Sequence, residues 1–319
     1  MINIQENIIL APYTTFRIGG SARYFVEVEN GEDLAEAIAF ANEKNISFFI
    51  LGGGSNVLVS DNGFNGLVIR INSQLFLPHN FSIGCGAGLS LAKVVRESME
   101  REFSGLEWAI GIPGTIGGAI RGNAGAFGGE IAKAIKAVNF IDTEDLYEEL
   151  GGKKAVKIQT FAKELCEFGY RTSIFKQNKN LIILSASFVF DKGSKLEVEK
   201  ITQGIIEKRR SNYPQGVGSA GSFFINPVVS NLELIKKFEE DSGAKSRESK
   251  IPAGWLINEV DLRGKKMGGA MISEEHANFI VNTGSAKAED VVMLASFVKQ
   301  QVRDKLGVEL REEVQYVGF

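Results

Sequence analysis

Two stretches of the chain, Leu51-Gly-Gly-Gly-Ser-Asn-Val-Leu-Val59 and Gly111-Ile-Pro-Gly-Thr-Ile-Gly-Gly-Ala-Ile-Arg-Gly-Asn-Ala-Gly-Ala-Phe-Gly128, concentrate glycine beyond anything a packed core requires. Glycine has no Cβ, reaches positive φ without steric cost, and lets peptide N–H groups converge on an oxygen cluster such as a pyrophosphate. Inside a regular element each glycine costs roughly 0.5–1 kcal/mol relative to alanine. A run this dense therefore argues for a use, namely a large anionic group lying against the main chain.

The two common phosphate-binding fingerprints are missing. A Rossmann turn needs G-x-G-x-x-G between strand and helix with an acidic residue about 20 positions later, and Gly84-Cys-Gly-Ala-Gly88 has the wrong spacing. No GxxxxGK[ST] run is present either. The glycines fit a cradle of another kind, in which two separated backbone loops grip a longer cofactor. With 319 residues and 36 glycines, 44% hydrophobic and 24% charged, the chain reads as globular and loop-rich, and its length predicts two or three domains. A net charge of −3 provides no basic field for nucleic acid. The apolar run Leu181 to Phe190 is strand-length, far below the ~20 residues of a membrane helix. The first residues lack the pattern of a signal peptide, so a cytoplasmic protein with no membrane partner is expected. Cys85 and Cys166 have no CxxC spacing and there are two histidines, so neither a disulfide framework nor a metal site is expected. Both thiols read as small buried apolar groups.

Periodicity sets the organisation. Leu34, Ala37, Ile38 and Ala41 predict a helix over 32–45, followed by a strand over 47–51 that runs into the first glycine cluster. Short strands are predicted over 67–71, 81–85, 137–141 and 181–190, with a helix over 89–103. An amphipathic helix begins near Lys195 and ends at Ser211-Asn-Tyr-Pro-Gln-Gly216. Helices over 231–241, 252–260 and 285–306, with strands over 269–272 and 279–281, predict a compact α+β unit, and residues 310–319 read as a strand that docks on an earlier body.

Thr14-Thr-Phe-Arg-Ile-Gly-Gly20, Leu51-Gly-Gly-Gly-Ser-Asn56 and Ile112-Pro-Gly-Thr-Ile-Gly-Gly118, in that order, resemble the flavin-binding modules of the UDP-N-acetylenolpyruvoylglucosamine reductase (MurB) family. Together with the motifs below, the resemblance covers nearly the whole chain. It implies an α+β fold: a two-subdomain FAD-binding cradle of the vanillyl-alcohol oxidase / para-cresol methylhydroxylase (PCMH) type, plus a C-terminal α+β substrate domain. The expected parts are residues 1–66 and 67–194 for the two FAD-binding subdomains and 195–309 for the substrate-binding domain. Residues 310–319 are expected to return to the FAD-binding region. Gly52 with the peptide N–H groups of Gly53, Gly54, Ser55 and Asn56 would hold the pyrophosphate. Ile112, Pro113, Gly114, Thr115, Gly117 and Gly118 would lie along the cofactor, with Asn123, Gly122 and Gly125 continuing that surface. Tight turns alone are the alternative explanation for these glycines.

Three further motifs carry the chemistry. Phe168-Gly-Tyr-Arg-Thr-Ser-Ile-Phe175 resembles the family segment that supplies an active-site arginine, here Arg171. A guanidinium suits a substrate carboxylate because it donates in a planar pair and never loses its proton; the competing reading is an arginine satisfied by a neighbouring carboxylate. Gly218-Ser-Ala-Gly-Ser-Phe-Phe-Ile-Asn-Pro227 matches the family's G-S-x-F-x-N-P and puts the proton donor at Ser222. Its hydroxyl is a weak acid, able to protonate only a carbon made strongly basic by hydride arrival; a lone serine here would otherwise be a turn or cap residue. Leu310-Arg-Glu-Glu-Val314 resembles the terminal L-x-x-E-V and selects Glu313 over Glu312 as the catalytic carboxylate. Strand alternation would point the two glutamates to opposite faces. Tyr213, Asn226 and Lys250 are candidate substrate-binding positions, Trp255 and Leu256 read as core, and His276 reads as a hydrogen-bonded structural residue. Ile225, Asn212 and Gln315 depart from the lysine, lysine and arginine common in the family, which bears on the diphosphate contacts.

The resemblance implies FAD and NADPH as cofactors and a nucleotide-sugar substrate, with a monomer expected. Hydride would pass from NADPH through flavin N5 to the enolpyruvyl ether of UDP-N-acetylglucosamine, and Ser222 would supply the proton, giving UDP-N-acetylmuramate for peptidoglycan. With no second dinucleotide fingerprint, NADPH and substrate would use one cleft in turn. Two alternatives stay open: an FAD oxidase or dehydrogenase of the same superfamily acting on another small molecule, and a flavin- or nucleotide-sugar-binding protein without catalysis.

Overall fold

Asn30 starts the first helix: its side-chain oxygen accepts the Asp33 N–H at 2.8 Å, and Glu32 and Asp33 place negative charge in the first turn. Helix α1 (Gly31–Glu43) buries Leu34, Ala37, Ile38 and Ala41, the face its spacing predicts. It belongs to the first of two units into which the chain divides, Met1–Ile8, Ala22–Gly53 and Asn65–Arg209; the second is Ile9–Ser21, Gly54–Phe64 and Arg210–Phe319. The computed structural model describes residues 2–150 and 153–319.

The first unit carries a four-stranded sheet, in the order Gln5–Ile9, Ser21–Val28, Phe64–Ile71 and Phe48–Leu51. Its last two strands run parallel, Phe48 opposite Leu67 and Leu51 opposite Arg70. A five-stranded sheet follows the order Gln159–Ala162, Ile135–Asp142, Leu181–Val189, Ser82–Gly86 and Phe76–His79, with antiparallel neighbours throughout. Helix α2 (Leu91–Glu100) is capped by Ser90, whose hydroxyl accepts the Lys93 N–H, so it is shorter at both ends than the period suggests. Three more helices, α3 (Ile116–Arg121), α4 (Ile174–Gln177) and α5 (Lys195–Asn212), complete this part of the chain. Leu34 and Ile38 share one core with Leu67, Ile83, Val94, Phe140 and Phe188, so the boundary expected between residues 66 and 67 falls inside a continuous hydrophobic interior. Cys85 and Cys166 are buried, and burial pushes their thiols up to about 12 and about 11. The division near the C-terminal domain falls within the last turn of α5. The expected boundary, residue 195, is where that helix begins.

The second unit has its own core, built from Phe16, Leu58, Phe223, Phe224, Leu256, Ile280, Leu294 and Val298. Its sheet has the order Gly218–Ser222, Phe279–Asn282, Ala270–Ile272 and Lys266–Met267. Helix α6 (Leu232–Ser242) begins at Asn231, whose side-chain oxygen accepts the N–H groups of Glu233 and Leu234, and stops at Gly243 in the left-handed region. Helices α7 (Ala253–Glu259) and α8 (Ala288–Leu306) lie where the period places them. Residues 310–319, expected as one strand, divide between two partners. Before a bend at Val314, Arg311 and Glu313 hydrogen-bond to Ile225 and Phe223; after it, Gln315–Val317 pairs in parallel with Val57–Val59. No described helix is long and apolar enough to cross a membrane.

Candidate functional site

In the first unit the two glycine loops press together main chain to main chain. A Cβ on Gly53 would lie 2.8 Å from the Gly114 Cα, one on Gly52 2.7 Å from the Thr115 Oγ1, and one on Gly117 3.0 Å from the Ala87 Cβ. In the second unit Gly54, at φ +61°, would drive a Cβ to 2.0 Å from the Tyr13 carbonyl oxygen. These absent side chains therefore serve the packing of the protein on itself, which corrects the expectation that the loops spend glycine only on a ligand. What remains bare is narrower: a Cβ on Gly118 would meet only the Thr115 Oγ1, at 3.6 Å, and one on Gly128 would meet nothing within 4 Å. Beyond Thr115 the loop turns helical, because the threonine hydroxyl accepts the Gly118 N–H and starts α3. A main chain with glycine at 114, 117 and 118, and exposed at Pro113 and Gly118, fits a long anionic cofactor such as FAD.

Asn123 is buried and holds three segments at once. Its amide donates to the Glu130 Oε2 at 3.2 Å and the Gly169 carbonyl at 2.8 Å, and its oxygen accepts the Ala132 N–H at 3.2 Å. That bond to Gly169 anchors the turn carrying Arg171, a turn closed by reciprocal bonds between Gly169 and Thr172. Arg171 itself has φ +57°, a left-handed conformation costly for a non-glycine residue, and Lys176 braces it by donating to its carbonyl at 2.8 Å. The Arg171 Nη1 lies 3.4 Å from where a Gly125 Cβ would stand. The closer constraint on Gly125 is the Gly129 carbonyl oxygen, 2.7 Å from that Cβ position, and the structure brings Asn123, Gly125 and Arg171 together.

In the second unit Ser222 closes the strand Gly218–Ser222, opposite Phe279. The register slips between Ser219 and Ser222, with Gly221 at φ +76°; such a bulge re-aims the side chain that follows it. Next to it, the Phe223 carbonyl accepts the Glu313 N–H at 2.8 Å. The Asn56 side chain donates to the Glu313 carbonyl at 3.1 Å, and the Asn56 carbonyl accepts the Gln315 N–H at 3.0 Å. The main chain after Ser222, the Glu313 backbone and Asn56 are therefore drawn together by these bonds. Glu312 points to other work, accepting from the Lys299 Nζ at 2.9 Å.

The substrate-binding candidates differ in standing. Tyr213 stacks on His276 at 5.1 Å between ring centroids and meets Phe279 edge-on at 5.5 Å. Asn226 spends its side-chain oxygen on the Ala253 N–H at the start of α7, at 3.0 Å. Lys250 is paired with the exposed Glu248 at 2.5 Å, which holds that carboxyl below its usual range. At the departures from the family pattern, Ile225 donates its N–H to the Arg311 carbonyl, and Asn212 ends α5. His276 accepts the Asn278 N–H at Nδ1, 3.2 Å away, and burial, then the nearby Arg263 charge, lowers its pKa. Asn278 was not singled out by the sequence reading; its only signal there is the run His276-Ala-Asn-Phe-Ile-Val-Asn282.

The glycine cradle is matched by a family described as an FAD binding domain, over residues 22–146. Fold and cradle together define an FAD-binding protein with a C-terminal α+β domain. Residues 213–317 match a second family, the C-terminal domain of UDP-N-acetylenolpyruvoylglucosamine reductase. A UDP-N-acetylenolpyruvoylglucosamine reductase of Solibacter usitatus is 37% identical over 315 residues, covering 99% of this chain and 97% of its own. One of Acaryochloris marina is 35% identical over 318 residues, covering 99% and 93%. The crystal structure of the Thermus caldophilus enzyme superposes with a TM-score of 0.75 at 30% identity, covering 99% of this chain and all of that one. The chain belongs to the UDP-N-acetylenolpyruvoylglucosamine reductase (MurB) family, FAD- and NADPH-dependent oxidoreductases of peptidoglycan precursor synthesis.

Proposed function

We propose that this chain reduces the enolpyruvyl ether of UDP-N-acetylglucosamine to UDP-N-acetylmuramate at the expense of NADPH, with Arg171, Ser222 and Glu313 as the catalytic residues. The observation that supports the reading is the bond from the Glu313 N–H to the Phe223 carbonyl at 2.8 Å, which ties the main chain of the glutamate motif to that of the serine motif. FAD, when bound, would supply the hydride chemistry between NADPH and the vinyl carbon of the substrate. Gly52, Gly53, Gly54, Ser55 and Asn56 would hold its pyrophosphate, and Ile112, Pro113, Gly114, Thr115, Gly117 and Gly118, with Asn123 and Gly125, would bind the rest of it.

Arg171 binds the substrate carboxylate through paired N–H donors and shares the charge that grows there. When a C–H bond forms at the vinyl carbon, the π electrons move to the carbon bearing oxygen and carboxylate. Ser222 gives its proton to that carbon, while Glu313 polarises the serine and stabilises the enolate-like intermediate. Tyr213, Asn226 and Lys250 contribute to the nucleotide-sugar contacts.

The test is run under nitrogen. NADPH should bleach the flavin absorbance of the FAD-loaded protein, and the enolpyruvyl nucleotide should restore it. Ser222→Ala should spare bleaching and suppress recolouring; equal loss in both halves contradicts the assignment of Ser222. Parallel double-reciprocal lines are expected if the two substrates alternate in one cleft, and intersecting lines refute it. Turnover with dioxygen and no response to the UDP-sugar would favour an oxidase instead.

A further inference from the structure

We infer that Asn278 is a positioning residue for proton delivery: it clamps both backbone groups of Phe224 and so holds the segment joining Ser222 to Glu313 in its working place. The inference rests on the reading of Ser222 as the proton donor. Past the bulge at Gly221 the chain leaves the sheet, yet Phe223 and Phe224 are fully buried, so their N–H and C=O groups need partners the ladder no longer supplies. Asn278 replaces the ladder. Its carbonyl accepts the Phe223 N–H at 2.7 Å, its side-chain oxygen accepts the Phe224 N–H at 2.9 Å, and its side-chain amide donates to the Phe224 carbonyl at 2.9 Å.

An asparagine side chain is suited to this because it sets one donor and one acceptor side by side, matching the two backbone groups of a single extended residue. The Asn278 N–H in turn donates to the His276 Nδ1. A backbone N–H can only donate, so that ring nitrogen is unprotonated, and the neutral ring that stacks on Tyr213 carries its proton on Nε2. Every polar group of Asn278 is thus engaged, and its side chain is buried. Phe223, held on one side by Asn278, offers its carbonyl to Glu313 on the other. One residue therefore links the serine strand, the glutamate segment and the His276–Tyr213 stack.

Asn278→Asp keeps an oxygen for the Phe224 N–H but cannot donate to the Phe224 carbonyl; Asn278→Ala removes both contacts. Rapid mixing of the FAD-loaded variants under nitrogen should show flavin bleaching by NADPH at the wild-type rate. Recolouring by the enolpyruvyl nucleotide should slow by about 10- to 100-fold, the penalty expected for a reacting group displaced by roughly 1 Å. The solvent deuterium isotope effect on recolouring should exceed that of the wild type, because proton transfer becomes the slower event. Equal slowing of both halves, or recolouring at the wild-type rate, overturns the inference. Ser222→Ala, run in parallel, separates the two readings: if that variant recolours normally, it is the proton-donor assignment that has failed. Amide exchange of the wild-type protein needs no variant. The Phe223, Phe224 and Glu313 amides should exchange slowly and together, and fast exchange at Phe224 overturns the clamp.

Discussion

Replacing Gly118 with alanine separates what the glycines do for the protein from what they do for its cofactor. Gly118 is the third residue of α3, its φ lies outside the left-handed region, and the nearest atom to an added Cβ is the Thr115 Oγ1 at 3.6 Å, an ordinary contact. The cofactor-free protein should therefore tolerate the change and gain up to about 1 kcal/mol from helix propensity. If FAD lies on that bare face, the methyl group occupies its space, and overpacking of about 1–3 kcal/mol corresponds to roughly 5- to 150-fold weaker binding. Gly53→Ala is the control: its Cβ would stand 2.8 Å from the Gly114 Cα, against a preferred carbon separation of about 3.5–4.0 Å. Both atoms belong to main chain, so a loop must move, and the cofactor-free protein itself should lose about 1–3 kcal/mol. Thermal unfolding of the flavin-free proteins and fluorescence titration with FAD measure the two quantities. A Gly118→Ala protein that binds FAD like the wild type would refute the placement of the cofactor on that face, and one that melts well below the wild type would refute the packing argument.

Three other outcomes follow from the packing and charge of the fold. Asp290 accepts N–H bonds from Lys287 and Gly269, which lower its pKa in that order of importance. A depressed carboxyl stabilises above its unfolded pKa of about 3.9 and stops doing so as pH falls through the folded value; urea unfolding of Asp290→Asn should thus show weaker pH dependence below about pH 4 than the wild type, and an identical profile would remove Asp290 from the account. Cys85 and Cys166 are buried with raised pKa values, so iodoacetamide at pH 8 should label them only when denaturant opens the first unit. Phe223→Ala deletes a fully buried ring from the core of the second unit; a loss of about 3–5 kcal/mol is expected in urea unfolding, and a loss below about 1 would mean the site collapses without a cavity.

The sequence showed the parts of the fold that depend on neighbours close in the chain. The face Leu34, Ala37, Ile38 and Ala41 repeats at helical spacing and is the buried face of α1, and the caps at Asn231 and Gly243 obey local rules. What escaped depends on partners far away. Nothing near Gly53 announces that Gly114 will lie against it, so a glycine demanded by protein packing and one demanded by a ligand look alike in the sequence. Asn278 reads as an ordinary polar residue until the pairing of the strands Gly218–Ser222 and Phe279–Asn282 brings it beside Phe224. Asn226 and Lys250 also carry fold contacts that the sequence does not announce, one at the start of α7 and the other with Glu248. The bend at Val314 was hidden for the same reason: the two partners of the terminal segment, Phe223 to Ile225 and Val57 to Val59, are remote from it and from each other in sequence.

The second unit draws on Ile9–Ser21 and Gly54–Phe64 as well as on Arg210–Phe319. During synthesis, Phe16 and Leu58 leave the ribosome long before Phe224, Leu294 or Val298, the residues that will cover them. The nascent chain must therefore carry two greasy segments unsatisfied while everything between Asn65 and Arg209 is made, a window in which chaperone capture or premature association competes with folding.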